Sequence, residues 1–166
     1  MTAPRTAARW VAAVALIVLA TACGQKPSPE SAALADVIRG AQTAELNVDT
    51  APDIQVELEK YYTGPLLSRK AIQYQTAIRT KADAGGGDRM GGVKTLDLKS
   101  IQVAGATANV SAEVTVWFKT AQFHYQSASS QPTQSNIIDL DLHLVKEGGV
   151  WKIYQEHWQF APGGGP

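Results

Sequence analysis

A single cysteine, Cys23, stands in this chain of 166 residues. An internal disulfide and a thiolate metal cluster both need several sulfurs, so the composition excludes both. Histidine is nearly as scarce: His124, His143 and His157 fall on separate segments with no pair at metal-ligand spacing, and no metal is expected. An excess of one charge is missing too, since 15 basic residues face 15 acidic ones and the pI is near 6.8. That balance offers no footprint for nucleic acid. The apolar run Trp10 to Ala22 has 13 residues, short of the roughly 20 a helix needs to cross the hydrocarbon core. There is no Gly-x-Ser-x-Gly elbow and no phosphate loop, and Gly85 to Gly87 lack the strand–turn–helix context of a phosphate cradle. No cofactor is expected. What remains, 45% hydrophobic and 18% charged residues, fits one globular domain.

The N-terminus carries the clearest signal. Arg5 and Arg9 precede the run from Trp10, and no acid occurs before Glu30, which is the order of a secretory signal with a basic n-region and an apolar h-region. Leu19-Ala20-Thr21-Ala22-Cys23-Gly24 then resembles a bacterial lipobox, in which small residues precede a cysteine that becomes the lipidated N-terminus. Here Ala20 stands third before the cysteine and Leu19 one place further out. Ala20-Thr21-Ala22 also satisfies an Ala-x-Ala site for the general peptidase, but Cys23 sits where the anchor chemistry needs a thiolate. The expectation is residues 1–22 as a signal peptide, lipidation (palmitate) at Cys23, and attachment to the extracytoplasmic face of the cell membrane. Removal of Arg5 and Arg9 leaves 13 basic and 15 acidic side chains. Such a surface has little charge attraction to anionic lipid, so the acyl chains must hold it.

Residues 23–28 contain Pro27 and little to bury, and read as a tether. Ser28 before Pro29 has the form of an N-cap before proline at the first helical position, and Leu34, Val37, Ile38 and Ala41 recur at helical spacing. A helix from about Pro29 to Leu46 follows. Ile54, Leu58, Tyr61 and Tyr62 predict a second, short helix stopped by Gly64-Pro65, and Leu67, Ala71, Tyr74 and Ile78 a third. After Gly92 the period falls to 2. Leu96 and Leu98 change phase to Ile101 and Val103 at Lys99-Ser100, which predicts a bulge. Val110 to Phe118 alternate cleanly, an extended stretch to about Gln126 precedes a loop over residues 127–135, and Ile138 to Leu144 alternate again. Gly148-Gly149 turns the chain into Val150 to Phe160. Residues 161–166 read as a disordered tail.

Helices followed by long antiparallel strands, each apolar on one face, form an α+β fold with helices covering a curved antiparallel sheet. With Ala106 to Val114 and the hairpin Gly149-Val-Trp151-Lys-Ile153, the pattern over residues 29–160 is similar to the cone-shaped, cystatin-like or nuclear transport factor 2-like superfold. Within that superfold it looks most like small accessory lipoprotein and chloroplast-division-protein-like domains. The resemblance implies a non-enzymatic ligand- or protein-binding accessory domain. It leaves open an isomerase or cyclase-like enzyme with a carboxylate base in the cone.

The last hairpin supplies the candidate base. A two-residue turn at Gly148-Gly149 places Asp141 across from Glu156, and like charges so placed repel. One bulge residue near Tyr154 puts His157 opposite Asp141 instead and turns Glu156, Trp158 and Phe160 toward the helix-covered face. The candidate pocket is therefore Glu156, Trp158, Tyr74 and Tyr62, open to a small apolar ligand. Trp158 is expected in the core. Glu156 is expected at a wet rim, solvated or paired with a lysine, and titrating near the ordinary value. Trp117 stands on the polar face of the long strand beside Lys119, with Phe123 or Tyr125 on the same side. It is the candidate contact for a protein partner or for a second copy of the chain through the sheet.

Overall fold

The computed structural model describes residues 17–18, 28–83, 88–120 and 133–165. Cys23, most of the tether, the Gly85–Gly87 connection, residues Phe123, His124 and Tyr125, and the loop up to residue 132 lie outside the described residues. The elements in chain order are β1 (Ile17–Val18), α1 (Pro29–Leu46), a 3-10 turn (Val48–Thr50), α2 (Ile54–Glu59), α3 (Gly64–Asp83), β2 (Arg89–Ala104), β3 (Thr107–Thr120), β4 (Gln134–Glu147) and β5 (Val150–Phe160). Four long strands form an antiparallel sheet in chain order, with the two residues of β1 on the outer edge of β2. Among the described residues no helix is long and apolar enough to cross a membrane.

Helix α1 starts where its cap predicts: Ser28 Oγ accepts from Ser31 N at 3.1 Å, and Pro29 occupies the first turn. Its stripe Leu34, Ile38 and Ala41 is buried against the inner face of the sheet, formed by Val110, Ala112, Val114, Leu140, Leu142 and Leu144. Each fully buried leucine or isoleucine there contributes roughly 1.5–3 kcal/mol. At its start, Glu30 accepts from Trp151 Nε1 at 2.8 Å and lies 3.1 Å from Lys146 Nζ, which clips α1 to the β4–β5 hairpin. At its end, Asn47 donates to Gly91 O and accepts from Gly91 N, tying α1 to the first residues of β2. The helix therefore runs from the hairpin-turn end of the sheet to the opposite end.

Gly64-Pro65 does not stop the second helix. That helix ends at Glu59, because Tyr61–Thr63 leave it to bond β5: Ile153 N donates to Tyr61 O at 2.8 Å and Thr63 N to Ile153 O at 3.0 Å. Gly64 opens α3 instead, at φ +60.

In β4–β5, Glu147 pairs with Val150 across Gly148-Gly149, both at positive φ as a type I′ turn requires. The register shifts once, at Tyr154, so that Asp141 faces His157 and Leu142 faces Glu156. The extra residue swings its ring over Gly64, where an added Cβ would lie 2.6 Å from Tyr154 Cε2. In β2 the register shifts at Lys99 and again at Lys94.

Two expectations are corrected at the far end of β5. Trp158 is 52% exposed and Phe160 43%. Both sit on the inner side of the sheet, but strand parity fixes only the side, and the helical layer leaves this end uncovered. Residues 161–165 are not a free tail. Ala161 N donates to Ile137 O and Ile137 N to Gly164 O, both at 2.9 Å. Gly164 permits the approach, since a Cβ there would lie 2.7 Å from Ile137 O.

Candidate functional site

The buried charges of the inner layer meet at one point. Glu45 lies four residues after Ala41 and seven after Ile38, on the apolar stripe of α1. Lys70 follows Leu66 by four and precedes Tyr74 by four on α3. Tyr62 comes from the connector bonded to β5, and Glu156 from β5 beyond its bulge. Lys70 Nζ lies 2.5 Å from Glu45 Oε1 and 2.9 Å from Glu156 Oε2. The Tyr62 hydroxyl donates to Glu45 Oε1 and the Tyr74 hydroxyl to Glu45 Oε2. The lysine ammonium also stands 4.8 Å from the centroid of the Tyr62 ring, within cation–π range. One cation thus serves two carboxylates, and two phenols serve one of them.

This arrangement corrects the expectation for Glu156. Its side chain is only 4% exposed, and burial, reinforced by the charge of Glu45, pushes its carboxyl above the ordinary value of 4.5 against the pull of Lys70. Burial depresses Lys70, but the two carboxylates outweigh it and hold the ammonium above 10.5. Tyr62 and Tyr74 are raised above 10.0, first by burial and then by Glu45. The Lys70 ammonium is therefore the charge partner of the buried Glu156 Oε2.

Beside the cluster lies a cavity of about 230 Å³ between α1, α3 and the open end of the sheet. Its polar lining includes Glu45, Lys70, Tyr74, Glu156 and Arg89. Its apolar lining includes Leu46, Val116, Phe118, Ile138 and Leu140. Trp158 and Phe160, edge to face with centroids 5.4 Å apart, stand at its mouth.

The predicted pocket residues are thus brought together in unequal roles. Glu156 and Tyr74 line the cavity, Trp158 frames its mouth, and Tyr62, 1% exposed, lies beneath it in the cluster. Trp117 is elsewhere. It lies on the outer face, half-buried over Gly92, where a Cβ would meet its Nε1 at 3.2 Å. Polar pairs stand on the same outer face: Ser111 Oγ donates to Asp141 Oδ1 at 2.7 Å, and His143 bonds Asn109 at 2.8 Å. Among the described residues no group of three or more histidine, cysteine or acidic side chains could hold a metal ion. Glu45, Lys70 and Arg89 were not singled out by sequence reasoning. The signal for the first two is their place on the apolar stripes of α1 and α3, where a charge must find a partner.

No family model matches the chain, and no curated protein matches it. Among solved structures it is similar to the intermembrane space region of the chloroplast protein ARC6, with 14% identity over 81% of this chain and 100% of that one and a TM-score of 0.60. A periplasmic fragment of TraM has 12% identity over 78% of this chain and 97% of that one, at 0.54. A nuclear transport factor 2-like superfamily protein from Salmonella enterica subsp. enterica serovar Typhimurium str. LT2 has 14% identity over 78% of this chain and 89% of that one, at 0.48. At such identities the likeness is one of fold. The chain has the α+β cone that the resemblance implied, with helices packed on an antiparallel sheet.

Proposed function

We propose that the chain is a non-enzymatic binding module of the cell envelope, lipid-anchored through Cys23, which takes a small, largely apolar ligand into the cone. The observation that carries the binding reading is the division of labour in the cavity. Lys70, Glu45, Tyr62 and Tyr74 are occupied by one another, while the aromatic side chains at the mouth are free to meet a ligand. A catalytic base and an oxyanion donor need to face the substrate. Here both phenols already donate to Glu45, and Lys70 sits against Glu156. The anchor reading rests on the lipobox-like run before Cys23. It accords with two neighbours described as an intermembrane space region and a periplasmic fragment.

The enzyme reading has one observation in its favour, the raised carboxyl of Glu156 beside a cavity. Incubation with cyclic ketones in deuterium oxide separates the two. The binding module leaves the protons next to the carbonyl unexchanged, whereas exchange lost in Glu156→Gln would establish the base. Native mass spectrometry of protein extracted from its own membrane is expected to show a small-molecule adduct. For the anchor, Cys23→Ser is expected to abolish metabolic labelling with radioactive fatty acid and to leave unprocessed precursor. Undiminished label on the mutant would refute the lipid.

A further inference from the structure

The binding reading leaves the polar end of the ligand open, and the charges around the cavity narrow it. Four charged side chains line that space: Glu45, Glu156, Lys70 and Arg89. Three of them are closed on one another, because Lys70 pairs with both carboxylates. Arg89 stands apart. Among the described residues it enters no ion pair, and its guanidinium makes one hydrogen bond, from Nη2 to the main-chain oxygen of Glu45 at 3.3 Å. A guanidinium has five N–H donors in a fixed fork, so most of them are left for another acceptor. Asp49, which accepts from the Arg89 main-chain N–H at 2.7 Å, is already engaged by Lys81 Nζ at 2.9 Å. Strand register sets the fork beside the apolar lining. Gly91, two residues on, pairs with Phe118 and would bring a Cβ within 3.2 Å of Leu46 Cβ, which marks the inner face. Arg89 shares that face, since side chains repeat every second residue, and Gly91 adds no side chain next to it.

Resting on the binding reading, we infer that the cone takes a monocarboxylate with an apolar body: the carboxylate sits in the fork of Arg89, and the body packs against Phe118, Ile138, Trp158 and Phe160. The fork matches the two carboxylate oxygens with parallel N–H···O bonds. A cationic head finds no free acid, since Glu45 and Glu156 already share Lys70, and it meets Arg89. One negative charge on the ligand is matched by Arg89, whereas the second charge of a phosphate monoester would face the net negative charge of the Glu45–Lys70–Glu156 trio. A neutral amide head accepts from Arg89 without charge assistance. The cavity of about 230 Å³ is several times the roughly 30 Å³ share of one water in the liquid, enough for a ring-sized body.

The test uses the full chain in zwitterionic lipid nanodiscs and three probes of similar shape: hydrocinnamate, its primary amide and phenylpropylamine. Binding is followed by the indole N–H resonance of Trp158 and the Nε–H resonance of Arg89. Hydrocinnamate is expected to bind about tenfold or more tighter than the amide and to shift both resonances, because hydrogen bonds between charged groups are worth that factor over neutral ones. The amine is expected to bind more weakly than the amide. Arg89→Gln removes the charge and the fork and is expected to bring the acid-to-amide ratio to about one or below. Arg89→Lys keeps the charge without the fork and is expected to fall between. Comparing each variant's ratio with that of the unaltered protein cancels partition of the probes into lipid. The acid-to-amide comparison on the unaltered protein stands even where a variant does not fold. Equal binding of acid and amide to the unaltered protein overturns the carboxylate assignment while leaving the binding module intact. A preference that survives in folded Arg89→Gln, or tighter binding of the amine, overturns it as well. No shift at either resonance with any probe removes the binding reading itself.

Discussion

Replacing Lys70 by methionine would keep most of the side-chain volume and leave Glu45 and Glu156 to face each other without a shared cation. Breaking a buried ion pair by removing one partner costs about 3–5 kcal/mol, and that loss is expected for Lys70→Met in urea melts at neutral pH. A loss below about 1 kcal/mol would show that water already screens the cluster. The tryptophans make a second comparison at this scale. Trp151, 2% exposed and bonded to Glu30, should cost about 3–5 kcal/mol on truncation to alanine. Trp158 should cost less than half as much, since 52% of it already meets solvent. Melts in which the two variants lose equal stability would place Trp158 in the core. Glu156 was legible in the sequence because a charge conflict with Asp141 forced the register. Glu45 and Lys70 were passed over because a lone charge on a helix reads as solvated until its neighbours at three and four residues are counted. The cover over Trp158 was not legible at all, because alternation tells which side of a sheet a residue faces and not what stands above it.

Gly64 joins α2 to α3 at φ +60 beneath the ring of the bulge residue Tyr154. A non-glycine residue pays about 1–2 kcal/mol in that backbone region, and the ring adds a steric contact. Gly64→Ala is therefore expected to destabilise by roughly 1–3 kcal/mol, measured by the shift of the urea midpoint at constant slope. Removing the ring in a Gly64→Ala, Tyr154→Ala double variant should recover part of the loss, and a strictly additive pair would show that the ring does not touch the site. Elements whose limits are written locally were readable: α1 has its cap at Ser28 and proline at its first turn, and β5 has its turn at Gly148-Gly149. The end of α2 was not, because it is set by the backbone hydrogen bonds that Ile153, some ninety residues away, donates to Tyr61 and accepts from Thr63. The packing of residues 161–165 escaped for the same reason, since Ala161 and Gly164 are held by Ile137 on another strand.

For the molecule as a whole, the cluster couples folding to pH at both ends of the scale. Tyr62 and Tyr74 are raised above 10.0, and Lys70 above 10.5. The folded chain therefore keeps protons that the unfolded chain releases, and stability falls as pH rises beyond about 10. Absorbance at the tyrosinate band should show Tyr62 and Tyr74 ionising only with the loss of near-ultraviolet circular dichroism. Their ionisation in the folded state would contradict the burial. Glu156 acts with the same sign lower down. Its raised carboxyl favours the folded state below 4.5 and loses that advantage as pH climbs through the window above. Glu156→Gln should flatten the stability profile there.

The clip between Glu30 and Trp151 also gives the molecule a polarity with respect to a surface. α1 has 18 residues, so it spans about 27 Å at 1.5 Å per residue, from the tethered hairpin end to the cavity lined by Leu46. With Cys23 as the proposed anchor, the domain would stand on its β4–β5 turn, and the mouth would open toward the aqueous compartment. Exchange at Trp158 would then be with solutes rather than with lipid tails. Nitroxide lipids should quench Trp151 at the foot of the domain more strongly than Trp158 at its crown.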